Sequence, residues 1–290
     1  MTYFLLKTIW KLLSYIPLWI MYVLSDGLFY PFYYILRYRR NIVRKNLTKS
    51  FPEKTIKEIV KIEKKFYHYF LDIFFETCKI ATISEKQMKS RMKFVNIELF
   101  NNSIREKKSV ALYLGHYGNW EWISSTYLHL EEKIACGQIY KKISNKLFDR
   151  LMYENRSKFG VINIEMRDTL RWLNEKIQNK QITAVGYIAD QSPRKKESKY
   201  FLQFLNQKVP VYTGTEKISK KYNNDVYYLD IKRIKRGYYE ALFVEIHEEP
   251  QSLPDFELTE KYFQLLEKSI QRQPEIYLWS HNRFKYAIEL

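Results

Sequence analysis

The chain has 290 residues, 49 Lys and Arg against 32 Asp and Glu, and a formal net charge of +17. Eight Gly, eight Pro, 46% apolar residues and two cysteines, Cys78 and Cys136, exclude a disordered or collagen-like chain, a disulfide-stapled scaffold and a four-thiolate zinc site. The excess positive charge calls for an anionic partner, and the 17% aromatic content suits either a membrane interface or base stacking.

The N-terminus separates those two. Thr2 to Leu36 reads TYFLLKTIWKLLSYIPLWIMYVLSDGLFYPFYYIL, with Lys7, Lys11 and Asp26 as its charges. The longest uncharged run, Leu12 to Ser25, is short for a spanning helix of about 20 residues. Either Phe4 to Leu24 crosses the bilayer with the two lysines snorkelling, or the segment enters one leaflet and returns at Asp26-Gly27 and Pro31. A buried helix pair is the third reading. The following stretch RYRRNIVRKNLTK carries Arg37, Arg39, Arg40, Arg44, Lys45 and Lys49 and no acid, which suits the anionic cytoplasmic leaflet. Residues 1–36 are therefore expected to anchor to a membrane, and 37–290 to form one cytoplasmic domain.

The body reads as alternating helices and strands, an α/β pattern. Helices are expected over 54–80, 119–130 with Asn119 as N-cap, 145–159, 168–178 and 258–272. Strands are expected at Ser109–Leu114, Ile134–Tyr140 and Ile182–Ala189, with a late pair at Val226–Ile231 and Tyr238–Ile246 joined through Lys235-Arg236-Gly237. Residues 191–240 are strongly basic and read as a face toward acidic headgroups or an acidic carrier protein.

The chemistry is expected at GHYGNWEW, Gly115 to Trp122. His116 lies just beyond a strand's C-terminal end, where α/β folds gather ligands. With His116 in the loop, Gly118 at the bend and Glu121 in the first helical turn, the carboxylate can reach the imidazole. It would fix the tautomer and make the other ring nitrogen a better base.

These residues sit in a sequence that resembles the late acyltransferases of lipid A biosynthesis, a branch of the lysophospholipid acyltransferase superfamily. Arg44-Lys45-Asn46-Leu47 with Phe51-Pro52 resembles the family's R-x-N-L…F-P element, and His116 with Glu121 its H-x4-D/E motif. Tyr140-Lys141, Asn145 and Arg156 fit the next stretch, with Lys141 where the family often has Arg. Asp190-Gln191, Phe204-Leu205-Asn206, Thr213-Gly214 and the ending PEIYLWSHNRFK, Pro274 to Lys285, follow in order.

The resemblance implies a single-domain glycerol-phosphate-acyltransferase-like fold, with a mixed sheet flanked by helices and a membrane-associated N-terminal segment. It implies transfer of a fatty acyl chain from an acyl carrier protein or coenzyme A thioester to a hydroxyl of a lipid, with a lipid A precursor the first expectation and a lysophospholipid or aminolipid the alternative. The location implied is the bacterial inner membrane, with the body on the cytoplasmic side. His116 would take the hydroxyl proton, Glu121 would orient His116, and Arg156, helped by backbone amides near Gly118 and Asn119, would stabilise the oxyanion. Asn119, Lys141, Asp190 and Gln191 are carried over as substrate-binding residues, Asp190 having turn capping as its alternative role. No cofactor is implied beyond the thioester co-substrate, and no metal, since H-E-x-x-H is absent. A nucleic-acid-binding protein would explain the charge but not the apolar N-terminus, and no RNP, zinc-finger or phosphate-loop motif occurs. A non-catalytic membrane scaffold would leave His116, Glu121, Arg156 and Asp190 without a role.

Overall fold

The computed structural model describes residues 2–288. Met1 and Leu290, the end points of the two segments expected above, lie outside it, as does Glu289. The chain opens with helix α1, Tyr3–Tyr15, whose N-cap Thr2 accepts the Leu5 amide. Pro17 then forces a break, because its ring cannot continue a helix. Helix α2, Leu18–Tyr30, follows and widens into a π-helical turn over Pro31–Leu36. The two limbs are bent by 108°, and no single helix among the described residues is long and apolar enough to cross a membrane. One face of the pair packs on the rest of the protein through Trp10, Leu18, Met21 and Phe29. The opposite face leaves Phe4 79%, Trp19 68% and Ile35 77% exposed. The buried-pair reading therefore holds for only one face.

Helix α3, Arg40–Ser50, leads to α4, Ile56–Lys79, the longest helix of the structure. Its start is set by a capping box in which Thr55 and Glu58 satisfy each other's backbone amides. Short elements α5 (Glu85–Arg91), β1 (Met92–Phe94) and α6 (Ile97–Arg105) precede the main sheet strands. These are β2 (Val110–Leu114), β3 (Ala135–Tyr140), β4 (Ile162–Glu165) and β5 (Thr183–Ile188), with α7 (Lys146–Arg156) and α8 (Thr169–Gln178) between them. A two-stranded hairpin, β6 (Tyr200–Phe204) and β7 (Gln207–Val211), precedes α9 (Gly214–Tyr222). The long pair β8 (Asp225–Lys235) and β9 (Tyr238–His247) and helix α10 (Glu257–Arg272) close the fold.

Seven strands form one mixed sheet in the order β1-β9-β8-β2-β5-β3-β4, in which only β8 and β9 pair antiparallel. The expected α/β class and the mixed sheet flanked by helices are what the protein adopts. Strand β2 is buried along its whole length, as a central strand covered on both faces must be. One expected α-helix differs in type. The segment after Asn119 forms a tight 3₁₀ helix, Trp122–His129, rather than an α-helix over 119–130. Ser124, Ser125 and Thr126 each turn a hydroxyl onto the carbonyl three residues earlier, which favours the tighter winding. The β6–β7 hairpin escaped the sequence reading. Its turn residues Leu205 and Asn206 both have positive φ, the conformation of a primed two-residue turn, without the glycine that usually announces one.

Candidate active site

Strands β2 and β5 are parallel neighbours, and Leu114 is the register partner of Ile188. Two residues beyond these partners come His116 and Asp190. Equal overhangs from adjacent parallel strands place the two side chains side by side. His116 Nδ1 lies 2.7 Å from Asp190 Oδ1. Asp190 is buried, and burial works to raise its carboxyl, but the His116 charge and hydrogen bond, with Arg283 nearby, outweigh it and hold the carboxyl below its usual value. An ionised Asp190 accepts the Nδ1 proton and leaves Nε2 as the basic nitrogen. Gln191 Nε2 donates to that Nε2 at 3.2 Å, and the Trp120 ring meets the imidazole edge-to-face at 5.5 Å.

The pairing of His116 with Glu121 is not what the structure forms. Glu121 turns instead to α7 and takes both of its hydrogen bonds from Arg156, Nε to Oε2 at 2.7 Å and an Nη to Oε1 at 2.5 Å. The reason is the loop's path. Gly118 adopts φ +58°, and a Cβ there would stand 2.4 Å from Ile231 Cγ2. That bend carries the following 3₁₀ helix away from the imidazole and toward α7. Arg156 uses two of its five N–H donors on Glu121 and lines the cavity.

Three further expectations are corrected. Asn119 is fully buried, its Nδ2 donating to Glu76 Oε2 at 2.6 Å and its Oδ1 capping the Trp122 amide at 3.1 Å. It caps a turn, and its side chain is closed off from the cavity. The Gly118 amide donates to the Ile276 carbonyl at 3.0 Å, so it is spent on the fold rather than aimed at an oxyanion. Asp190 reaches the site through His116 and does not itself line the cavity.

That cavity has a volume of about 590 Å³ and opens beside the C-terminal ends of β2, β5 and β3. His116, Glu121, Arg156, Lys141 and Gln191 line its polar end. Leu112, Ile123, Cys136, Val161, Leu170 and Ala184 line much of the remainder, which is largely apolar but also includes Gln138 and Arg167. This apolar chamber was not legible in the sequence, because its walls come from strands and helices far apart in the chain. Cys136 is a wall residue, its thiol pushed up to about 12 by burial and so poorly suited to act as a nucleophile.

The C-terminal segment braces the loop from behind. Leu278 donates its amide to the His116 carbonyl at 3.0 Å, and Tyr117 and Tyr277 form a β-bridge. Asn46 Nδ2 donates to the carbonyls of Trp279 and His281, both at 2.9 Å, tying α3 to the same segment. Trp279 is fully buried and donates its indole N–H to the Pro274 carbonyl. Burial lowers the His281 imidazole to about 4, so it stands neutral beside the site. The two sequence elements at opposite ends of the chain thus meet as one support for His116.

Among curated proteins, none matches the chain significantly. The family described as bacterial lipid A biosynthesis acyltransferase matches residues 1–286, a span that takes in the N-terminal helices, the cavity, the His116 loop and its C-terminal brace. On that match over nearly the whole chain, the protein is an acyltransferase and belongs to the bacterial lipid A biosynthesis acyltransferase family.

Proposed function

We propose that the protein transfers a fatty acyl chain from a thioester, carried by acyl carrier protein or coenzyme A, to a hydroxyl of a lipid A precursor. His116 Nε2 removes the hydroxyl proton as the oxygen attacks the thioester carbonyl. Asp190 holds the imidazole through Nδ1 and stabilises the imidazolium that forms. Arg156, anchored by Glu121, faces the oxyanion of the tetrahedral intermediate with its free donors. The carbonyl re-forms as the carbon–sulfur bond breaks, and the imidazolium returns a proton to the departing thiolate. No covalent enzyme intermediate is required, since a thiolate leaves readily. Lys141 and Gln191 sit at the polar end of the cavity and contact the substrates there.

The observation that carries this reading is the Nε2 of an Asp-held histidine, met there only by the Gln191 amide, facing a largely apolar cavity. An acyl chain fills such a chamber, and its thioester carbonyl then lies at His116. The exposed apolar face of α1 and α2, flanked by the basic 37–49 stretch, supports seating in the cytoplasmic leaflet of the inner membrane, entering one leaflet and not crossing. Mass spectrometry of products from purified protein, an acyl thioester and a lipid A precursor tests the reading. A product heavier by one acyl group, absent with His116→Ala, supports it. Turnover with lysophospholipid and none with lipid A precursor would replace the acceptor assigned here.

A further inference from the structure

Beyond the active-site cavity, the protein carries a second concavity of about 270 Å³, lined by Arg37, Arg40, Asn41 and Arg44. We propose that this is a phosphate-binding site that holds the headgroup phosphate of a lipid in the leaflet beneath α1 and α2.

Four observations converge on it. The backbone is bent to make it: Arg37 and Arg39 both stand in the left-handed region, at φ 48° and 51°. Side chains with a Cβ reach that region at a cost, and such strain gathers where a chain must be turned for a purpose. Here the turn brings Arg37 back over the start of α3, beside Arg40 and Arg44.

The charge is in excess. Glu63, fully buried on α4, accepts from Arg40 Nε at 3.2 Å, from Arg44 through Nε and an Nη, and from the Tyr33 hydroxyl at 2.7 Å. One carboxylate therefore serves two guanidiniums, and Arg37 adds a third whose Nε goes to the Tyr34 carbonyl. The terminal nitrogens of Arg37 and Arg40 have no hydrogen-bond acceptor among the described residues, while Arg40 and Arg44 are held with their side chains 31% exposed. Guanidinium groups fixed at one edge and free at the other match the tetrahedral oxygens of a phosphate.

The helix end has the right sign. Helix α3 begins at Arg40 with no side-chain cap and no acidic residue in its first turn. Its dipole favours an anion at that end, although the Arg40 and Ile42 amides already donate to the Arg37 and Arg39 carbonyls, at 3.0 and 2.9 Å. Finally, the neighbours are apolar: Tyr34, Ile35 and Leu36 are exposed immediately before Arg37. An anion that sits between apolar side chains and arginines has a hydrocarbon part and a phosphate part. The lipid half of this inference rests on the leaflet seating proposed above; the phosphate half does not. The site is also linked to catalysis, because Arg39 donates to the Ser280 carbonyl at 3.1 Å within the segment that braces His116.

The test uses full-length protein and two double variants. Arg37→Gln with Arg40→Gln removes the free guanidiniums and spares Arg44, which holds buried Glu63. Lys45→Gln with Lys57→Gln removes two exposed charges outside the concavity. Titration calorimetry with dihexanoyl phosphatidic acid, a soluble lipid phosphate, should give saturable binding of one lipid per chain. The arginine variant should weaken it by about tenfold or more, and the lysine variant by less than about twofold. Equal loss in both variants, or no saturable binding to wild-type protein, overturns the site in favour of a diffuse basic surface. Dihexanoyl phosphatidylcholine, whose phosphate is masked by choline, should bind weakly. Two further arms identify the lipid. Loss of preference for vesicles containing about one-fifth phosphatidylglycerol over pure phosphatidylcholine, with unchanged KM for the acceptor, assigns the phosphate to a bilayer lipid. A raised KM for a phosphorylated acceptor, with vesicle preference kept, assigns it to the acceptor. Failure of every form of the protein to partition onto either vesicle would sink the leaflet seating, while calorimetry would still decide the phosphate site.

Discussion

Two clusters of buried charge lie near the sheet, and they differ in what they leave unsatisfied. Around His116 and Asp190, one imidazole nitrogen and part of the Arg156 guanidinium face a cavity. Around Asp72 and Glu76 on α4, every carboxylate oxygen accepts a hydrogen bond, and the buried Nε of Arg233, which faces no cavity, is left without a partner among the described residues. Glu76 accepts from Tyr22, Asn119 and Tyr239, at 2.9, 2.6 and 2.8 Å. Asp72 accepts from Ser25, Arg233 and Arg236, and Arg236 also grips Asp26 of α2. Neither Asp72 nor Glu76 lines the cavity. Both clusters hold carboxylates out of water, so burial alone does not mark a reactive site. Spare hydrogen-bonding capacity beside empty space does. The closed cluster joins α2, α4, the β8–β9 pair and the His116 loop into one unit.

The largest effects should come from the open cluster. His116→Ala should lower kcat by about 10²–10⁴ with the thermal midpoint held within a few degrees. Asp190→Asn should cost about as much, because an amide no longer fixes the tautomer or stabilises the imidazolium. The double variant should be no slower than His116→Ala, since Asp190 acts only through the imidazole. Glu121→Ala on the His116→Ala background should instead slow whatever turnover persists. Additive losses for His116 with Asp190, alongside non-additive losses for His116 with Glu121, would restore the pairing expected from spacing and break the one the structure forms.

Arg156→Ala comes next and has two separable consequences. It should lower kcat by about 10²–10³ through loss of an oxyanion donor. It should also destabilise the protein by about 3 kcal/mol, because Glu121 is left as a buried, unpaired charge. Adding Glu121→Ala should recover much of the midpoint and none of the rate. Recovery of both would make the pair a structural bridge only.

In the closed cluster the expected effect is on stability and its pH dependence. Burial pushes the Glu76 carboxyl up to about 7, Asp72 adding to it, against the opposing charge of Arg233 and the hydrogen bonds it accepts. The folded state thus binds the Glu76 proton more tightly than the unfolded chain. The stabilisation this gives is fully present below the ordinary value of 4.5 and is lost as pH rises from there through about 7. Glu76→Gln should flatten that part of the stability profile. It should also cost about 1–3 kcal/mol near neutral pH, since the amide turns a donor toward hydroxyl or amide donors. An unchanged slope of midpoint against pH would show that Glu76 does not titrate in this range.

The smallest effect should come from the surface. Lys7 and Glu154 join α1 to α7 at 2.6 Å, with side chains 53% and 34% exposed. Lys7→Ala should change stability by no more than about 1 kcal/mol. A larger loss would mean that this contact, rather than the buried face of α1, holds the helix in place.

Most of the strands and helices were legible in the sequence, because apolar periodicity reports which face of an element is dry. The runs before His116 and before Asp190 both read as strands ending one or two residues short of a polar side chain. The sequence also carried the bend at Gly118, the arginine-rich stretch and the apolar N-terminal limbs, but the return expected at Asp26-Gly27 and Pro31 falls at Pro17 instead, with α2 running through Asp26-Gly27. It did not determine which strand lies beside which. That choice belongs to the sheet order, and it decided that His116 meets Asp190, 74 residues away, instead of Glu121, five residues away. Local spacing limits which side chains can meet along one element, whereas pairing across a parallel sheet is set by the packing of the whole domain. The same limit applied to the cavity and to the brace from Tyr277 to His281, where walls and supports are drawn from elements distant in the chain and only the tertiary structure brings them together.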